Sequence, residues 1–144
     1  MKTGKIVFFI LILMVLVSCN NKTSQIESPL AIVIKLISAE SLADFDEAKK
    51  YIDLEKVYAS HPDTLSAEQA WKSQVLFFYN IGKDKKFTNN FKYYDYIIKE
   101  ELKEKNAEVV FESIHPEDSI SKIVYKLIQD DKTWRVVKID YLKK

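Results

Sequence analysis

Two histidines and one cysteine are the side chains of this 144-residue chain that are best suited to acid–base, nucleophilic or metal chemistry. Each histidine, His61 and His115, directly precedes a proline, and this pair is typical of a turn. The nearby carboxylates, Asp63 and Glu117, lie in the same turns, and no His-x-x-x-His spacing occurs. We therefore predict solvated turn histidines, with no catalytic residue, no metal site and no cofactor.

One carboxylate has a position that would suit acid chemistry. If the strand around it alternates regularly, Glu100 shares a face with Tyr96, Ile98 and Leu102 and points to the apolar side. A buried carboxylate on such a face would be a candidate cavity acid. The flanking charged residues favour the alternative, in which the strand is already leaving the core or a bulge turns Glu100 outward.

Aromatic residues are numerous enough to line a pocket, since the chain has eight tyrosines, eight phenylalanines and two tryptophans. If the third predicted helix lies across the concave face of the sheet, rings from the helix and the strands converge there. Together with Glu100, the predicted lining residues are Trp71, Phe78, Tyr94, Tyr96, Phe111 and Tyr125. Such a pocket would bind a small apolar or planar ligand. The alternative is that the same stripe is simply core.

The only cysteine, Cys19, follows closely on an apolar run. The run, Ile6–Val17, has twelve residues and is preceded by two lysines. A bilayer span takes about 20 apolar residues, so this run fits the core of a signal peptide better than a membrane helix. The alternatives are an ordinary signal peptide that contains a cysteine, and an uncleaved anchor. Without a second cysteine, neither a disulfide nor a zinc–thiolate site can form.

The chain is expected to divide into three parts. Residues 1–18 are predicted to be the signal peptide, residues 19–28 Cys19 with a polar, flexible tether, and residues 29–144 one domain. Removing the signal peptide with its two lysines changes the formal net charge from +1 to −1. This balance excludes nucleic acid as an electrostatically bound partner. With only two glycines in the chain, a glycine-rich phosphate loop is excluded as well.

Three helices are predicted at the start of the domain, over residues 30–41, 44–52 and 66–81. Each begins at a capping residue, Ser28, Asp44 or Ser66, and the third is expected to end at Gly82. The C-terminal half of the third helix is apolar on nearly all sides. We therefore expect this half to be buried on several sides or to line a pocket.

Beyond residue 90 the apolar period changes from helical spacing to two, which predicts strands. Four alternating segments are separated by turns, near residues 94–102, 107–112, 123–127 and 134–142. Trp134 and Val136 are predicted to face the core, and the Val136-Val137 pair breaks the alternation, which indicates a bulge. The predicted fold class is α+β, with N-terminal helices packed on one face of a curved four-stranded antiparallel sheet.

The residues Leu16-Val17-Ser18-Cys19 resemble the lipobox of bacterial lipoproteins. This resemblance implies that Cys19 is acylated and becomes the new N-terminus. The membrane would then be one partner of the protein, through the lipid on Cys19. The resemblance places the protein in the bacterial cell envelope. Because no acidic cluster follows Cys19, we expect a periplasm-facing position.

Short patterns at residues 43–48, 107–109, 125–127 and 131–136 resemble those of a larger group of domains. The order of elements is similar to the nuclear-transport-factor-like (cystatin-like) roll, and more narrowly to small bacterial lipoproteins with a lumazine-binding-like version of it. The resemblance implies a roll that can enclose a cone-shaped cavity. Relatives use this cavity for catalysis or for ligand binding, so the resemblance does not transfer a function.

The leading functional hypothesis is a non-enzymatic, lipid-anchored module that binds a small apolar ligand or an envelope protein. The main alternative is an interaction protein without a pocket, such as an envelope assembly factor or an immunity-type partner. A small cavity enzyme is the third hypothesis, because no acid–base pair stands out. A filled core would favour surface recognition, and an open aromatic cavity would favour a ligand.

Overall fold

The computed structural model describes residues 26–60, 64–83 and 93–143, without the side chains of residues 81–83. In this part of the chain, helices precede one four-stranded antiparallel sheet, which is the α+β arrangement predicted from the sequence. The strands lie in the order β1-β2-β3-β4, so each strand pairs with its neighbour in sequence. The predicted signal peptide, Cys19 and His61 lie outside the described residues.

The described helices are α1 Pro29–Ser41, α2 Phe45–Ala48, α3 Leu54–Val57 and α4 Ala67–Lys83. The side chain of Ser28 caps α1 by accepting a hydrogen bond from the Ala31 amide, and Asp44 caps α2 in the same way. Helix α2 is shorter than predicted because the chain turns after Ala48. Helix α4 does not stop at Gly82 but continues one residue further.

The strands are β1 Tyr96–Lys103, β2 Asn106–Ser113, β3 Ile120–Asp130 and β4 Thr133–Lys143. A short 3₁₀ turn, Tyr93–Asp95, leads into β1. The prediction that Tyr94 alternates with Tyr96 on one strand is therefore wrong, because the 3₁₀ turn rotates Tyr94 out of the period-two pattern. The Tyr94 side chain is 73% exposed.

The core lies between α1 and the inner face of the sheet, which is the face turned toward the helices. Five positions of α1 are buried: Pro29, Ile32, Val33, Leu36 and Ala39. They meet buried residues of β2, β3 and β4, and Trp134 and Val136 are among them, as predicted. Burying one large apolar side chain contributes roughly 1.5–3 kcal/mol, so this layer stabilises the domain without a disulfide.

The position of α4 differs from the prediction. This helix packs mainly on α1 and α3, whereas α1 and α3 make the main helical contacts with the strands. The prediction that it lies across the concave face of the sheet is therefore wrong. Its apolar C-terminal half is not enclosed by the described residues, because Leu76, Phe77 and Phe78 are between 40% and 61% exposed.

The last strand carries two irregular features. Lys126 pairs with Lys138 but the next residue, Leu127, pairs with Val136, so Val137 is an extra residue and forms the bulge predicted from the sequence. On the free edge of β4, Val136 forms a parallel bridge with Ile52. Two backbone hydrogen bonds of 2.8 Å, from the Asp53 amide to Val136 and from the Val136 amide to Tyr51, hold this bridge.

Candidate functional site

A groove of about 400 Å³ is lined mostly by residues of the outer face of the sheet, which is the face turned away from the helices, together with Lys56 of α3 and the core residues Ala107 and Leu127. We call it the sheet groove. Its lining residues are Lys56, Glu101, Lys103, Asn106, Ala107, Glu108, Lys126, Leu127, Ile128, Val137 and Lys138. The volume falls in the range of roughly 300–1,000 Å³ that is usual for small-molecule sites.

Strand register explains why these residues meet. Glu101 pairs with Glu108, Glu108 with Lys126, and Lys126 with Lys138, so the four side chains form one row across all four strands. Side chains in such a row share one face because strand side chains alternate. The bulge at Val137 adds an apolar side chain beside the row.

The charges around the sheet groove are unevenly satisfied. Asp140 is shared by two lysines, with its carboxylate 2.9 Å from Lys138 Nζ and 3.9 Å from Lys126 Nζ. In contrast, Glu101 and Glu108 stand directly opposite each other and form no ion pair with any described residue. Like charges in directly opposed positions destabilise a sheet pair. The row therefore presents two adjacent carboxylates and two adjacent ammonium groups to solvent.

The aromatic residues predicted to line a pocket occupy different environments. Trp71, Phe111 and Tyr125 are buried in the core. Phe111 makes edge-on contacts with Tyr125, at a ring distance of 5.7 Å, and with the half-buried Tyr96, at 6.1 Å. These contacts join three of the predicted rings, and Trp71 is buried in the same core cluster.

Phe78 and Tyr94 do not join the aromatic core. Phe78 is 48% exposed and contacts its neighbour Phe77, while Tyr94 is also exposed. The six predicted rings are therefore not gathered around one cavity by the described residues. The sheet groove lies on the opposite face of the sheet from the core rings.

Glu100 lies on the inner face, directly opposite Val109, as a regular alternation predicts. The register between β1 and β2 is unbroken, so the alternative of a bulge at Glu100 is wrong. The side chain is half-buried, and two residues further along the same face Leu102 is 58% exposed. The inner face of β1 therefore leaves the core at about this position.

His115 and Ser113 form a cluster in the loop between β2 and β3. The ring Nε2 of His115 lies 3.1 Å from the Asp95 carboxylate, and this hydrogen bond raises the pKa of His115 above its ordinary value. The Ser113 hydroxyl instead donates to the carboxylate of Asp118 and accepts a 3.1 Å hydrogen bond from the His115 amide. The two groups thus contact different carboxylates, an arrangement that fastens the loop.

A further group that the sequence analysis missed is Glu40 of α1. Its carboxylate accepts a 2.7 Å hydrogen bond from the indole Nε1 of Trp71, which ties α1 to α4. Burial raises the pKa of Glu40 to about 6, although the hydrogen bond from Trp71 works in the opposite direction. A sequence signal was present, because Glu40 continues the helical spacing of Val33 and Leu36.

The signal for the sheet groove was also present in the sequence. The outward alternation of Lys99 and Glu101, of Glu108 and Glu112, and of Lys126 marks one charged face. The alternation does not reveal that the bulge adds Val137 beside this face, so it indicates a charged face but not a groove.

The described residues contain neither a candidate metal cluster nor a candidate membrane-spanning helix. No group of three or more His, Cys, Asp or Glu side chains within residues 26–60, 64–83 and 93–143 is arranged to hold a metal ion. In the same part of the chain, no helix has the length and apolar character needed to cross a membrane.

Comparison with known proteins yields no match to a protein-family model, a curated protein or a solved structure.

Proposed function

We propose that the protein is a lipid-anchored binding module of the bacterial cell envelope, and that the sheet groove binds an amphipathic anion. The observation that carries the proposal is the combination of an apolar floor, which includes Ile128 and Val137, with a rim of charged side chains. Apolar contact provides most of the affinity in such a site, while a few polar groups fix the orientation.

The rim favours a negatively charged ligand. Four lysines and two glutamates line the sheet groove, so its formal charge is positive. Lys126 and Lys138 share one carboxylate, and their ammonium groups therefore retain capacity for another anion. A carboxylate or phosphate that lies over these two lysines would place an attached hydrocarbon chain along the floor.

The apolar run before Cys19 supports the anchor, and its lipobox-like residues support acylation of that cysteine. The order of helices followed by a four-stranded meander supports a cystatin-like roll of the nuclear-transport-factor-like type. A domain held at a membrane surface and facing the periplasm meets amphipathic anions at high local concentration.

The proposed role is binding and not catalysis. The groups best suited to nucleophilic chemistry among the described residues are Ser113 and His115, and they are directed toward Asp118 and Asp95. Proton transfer from the serine to the imidazole would need a direct hydrogen bond between them.

A second candidate function is recognition of an envelope protein without any pocket. The observation that favours it is the burial of Trp71, Phe111 and Tyr125, since a core filled by these rings favours surface recognition. The two functions differ in whether a small ligand saturates the site.

The test uses three probes that share one hydrocarbon chain: decanoate, decylamine and decanol, each kept below its critical micelle concentration. Two-dimensional NMR of the ¹⁵N-labelled protein reports the position of binding. We expect saturable binding of decanoate, with the largest shifts at the backbone amides of Ile128 and Val137. Replacing both lysines (Lys126→Gln, Lys138→Gln) should weaken it about tenfold, because each change removes a charge-assisted contact.

The matched control is Lys122→Gln, which removes a lysine from the same face of the sheet but outside the groove. This variant should bind decanoate like the wild type. Tighter binding of decylamine than of decanoate would contradict the proposal. Shifts confined to Tyr96, Phe111 and Tyr125 would instead assign the ligand to the aromatic core. The absence of saturable binding would favour the second candidate function.

A further inference from the structure

On the outer face of the sheet, three rows of side chains run across all four strands. In each row, the side chains on β1 and β2 are complementary in charge or apolar character to those on β4 and β3. The charged row is Glu101, Glu108, Lys126 and Lys138. The valine row is Lys99, Val110, Val124 and Asp140. The end row is Ile97, Glu112, Lys122 and Leu142. Each row read from β1 to β4 is complementary to the same row read from β4 to β1.

This pattern has a direct geometric meaning. A two-fold axis parallel to the strands, between two stacked sheets, places β1 of one copy over β4 of the other and β2 over β3. Residues that face each other across such an axis do so twice, as in any isologous interface. We propose that a second copy of this chain binds the outer face in this way. The charged row of this interface also lines the sheet groove, so a second copy and a ligand in the groove would compete for Lys126 and Lys138.

The charged row supports the two-fold arrangement most strongly. In the two-fold arrangement Glu101 faces Lys138 of the second copy, and Glu108 faces Lys126. Within one copy the two glutamates form no ion pair with any described residue, whereas the two lysines compete for Asp140. Stacking therefore gives each unpaired carboxylate an ammonium partner. The repulsion between Glu101 and Glu108 within one copy is then offset, because both carboxylates lie opposite ammonium groups of the second copy.

The valine row repeats the complementarity with different residues. Lys99 faces Asp140 of the second copy, and Val110 faces Val124. The two valines pair directly within one copy, where Val124 is already buried and Val110 is half-buried, so the apolar centre between the charged ends is small. This order, apolar in the middle and charged at the margin, is the usual anatomy of a protein–protein interface.

The end row adds apolar contact at the margins of the sheet. Ile97 faces Leu142 of the second copy, and these two side chains are 53% and 46% exposed in one copy. Glu112 faces Lys122 of the second copy, although it already contacts the Lys122 of its own chain at 3.3 Å. Burying two exposed apolar residues from each copy supplies part of the driving force.

A fourth row limits the interface. Lys103, Asn106, Ile128 and Arg135 form it, and the axis would place Lys103 over Arg135 of the second copy. Two cations in this position repel each other, so the interface ends at the charged row. Stacked sheets also cross at about 30°, which moves the outermost rows apart.

The size of the surface predicts a weak and reversible dimer. Four strands about 4.8 Å apart and six residues along each strand cover roughly 400 Å² per copy. This is about half of the roughly 800 Å² per partner of a standard interface. Attachment of both copies to one membrane would raise their local concentration and favour the pairing.

Zero-length cross-linking of the full-length chain tests the proposal. Equal amounts of ¹⁴N and ¹⁵N protein are mixed in a non-ionic detergent and treated with a carbodiimide, which joins a carboxylate to an amine without a spacer. We expect mixed-isotope peptides that link Glu101 to Lys138 and Lys99 to Asp140. The reference reaction is the link between Lys99 and Glu112 within one chain, whose groups are 3.0 Å apart.

Charge reversal then tests the row itself. Glu101→Lys/Glu108→Lys makes the row wholly positive, and Lys126→Glu/Lys138→Glu makes it wholly negative. Each variant alone should associate at least about tenfold more weakly than the wild type in sedimentation equilibrium, because like charges face each other. An equal mixture of the two variants should regain association, and so should a chain that carries all four reversals.

Several outcomes would overturn the proposal. One is a wild-type chain that sediments as a monomer at every concentration while the Lys99–Glu112 reference link forms. Another is a set of mixed-isotope links that join other surfaces. A third is failure of the two reversed variants to rescue each other while both retain the wild-type circular dichroism spectrum. If the variants unfold, the mixed-isotope cross-links of the wild-type chain alone test the proposed dimer.

Discussion

The carboxyl group of Glu40 makes the stability of this domain depend on pH. Glu40 accepts the hydrogen bond of the Trp71 indole, and burial raises its pKa from the ordinary 4.5 to about 6. The folded state therefore favours the neutral acid, while the unfolded chain ionises at the lower pH. Replacing the side chain by glutamine keeps an acceptor for the indole and removes the ionisation.

The size and sign of the effect follow from this difference. Below pH 4.5 the acid is protonated in both states, so its contribution to stability is fully present. As the pH rises through about 6, the folded state must also ionise Glu40, and that stability is lost. A difference of about 1.5 between the two pKa values corresponds to a change of at most about 2 kcal/mol in the free energy of unfolding. Glu40→Gln should therefore stabilise the protein by up to about 2 kcal/mol at neutral pH and change little in acid.

The assay is urea unfolding of wild type and variant between about pH 4 and about pH 8, followed by tryptophan fluorescence. The difference in free energy of unfolding should rise sigmoidally between pH 4.5 and about pH 6, with its midpoint midway between these two pKa values. Burial raises the pKa values of Tyr58, Tyr125 and Tyr141, so these neighbours stay neutral throughout. His115 titrates equally in both proteins, so its contribution cancels.

The matched control is Glu55→Gln, which replaces an exposed carboxylate on α3. Because this side chain is exposed, the variant controls for the loss of a carboxylate charge without the loss of a buried group. A pH-independent difference for Glu40→Gln would refute the reasoning, because it would mean that Glu40 ionises equally in both states. Destabilisation at neutral pH would mean that the charged hydrogen bond to Trp71 outweighs the cost of burial.

Three further predictions follow from the fold and the sequence. Trp134→Ala should lower the free energy of unfolding by about 3–5 kcal/mol in urea, since the indole is buried, and a loss below about 1 kcal/mol would place it at the surface. Asp95→Asn should lower the pKa of His115 in an NMR titration, because the 3.1 Å contact that raises it loses its charge, and an unchanged midpoint would contradict this. Cys19→Ala should abolish lipid labelling and release the protein from membranes, whereas retention after a high-salt wash would indicate an uncleaved anchor.

The sheet was the part of the fold that the sequence predicted best. Alternation by two is set by the geometry of a strand, so Trp134 and Val136 could be assigned to one face and the bulge to the following residue. A regular alternation also puts Glu100 on the inner face, where it pairs with Val109, although the flanking charged residues favoured an outward position. The prediction from alternation is wrong at Tyr94, where a 3₁₀ turn replaces the strand. Alternation does not indicate at which residue the pairing of β1 with β2 begins.

The packing of the helices was less predictable. The apolar pattern of α4 indicates which of its residues are buried, but it does not indicate which element packs against them. In the structure the helix packs mainly on α1 and α3 and not on the sheet. The predicted aromatic pocket depended on that position. Glu40 was missed for a related reason, since its hydrogen-bond partner Trp71 is 31 residues further along the chain. Long-range contacts of this kind are not encoded in a local period.

The contacts of β4 determine when this chain can complete its fold. The helices α1 and α3 and the bridge at Ile52 all pack against residues 133–143, the last strand. Helix α3 packs mainly on that strand, whereas α1 also packs on β2, so the apolar side of α3 and the bridge at Ile52 are covered only when β4 has been synthesised. Synthesis from the N-terminus therefore leaves this part of the core incomplete until residues 133–143 have been added. An export pathway that accepts only unfolded chains would meet a domain whose core is not yet closed while β4 is still being synthesised.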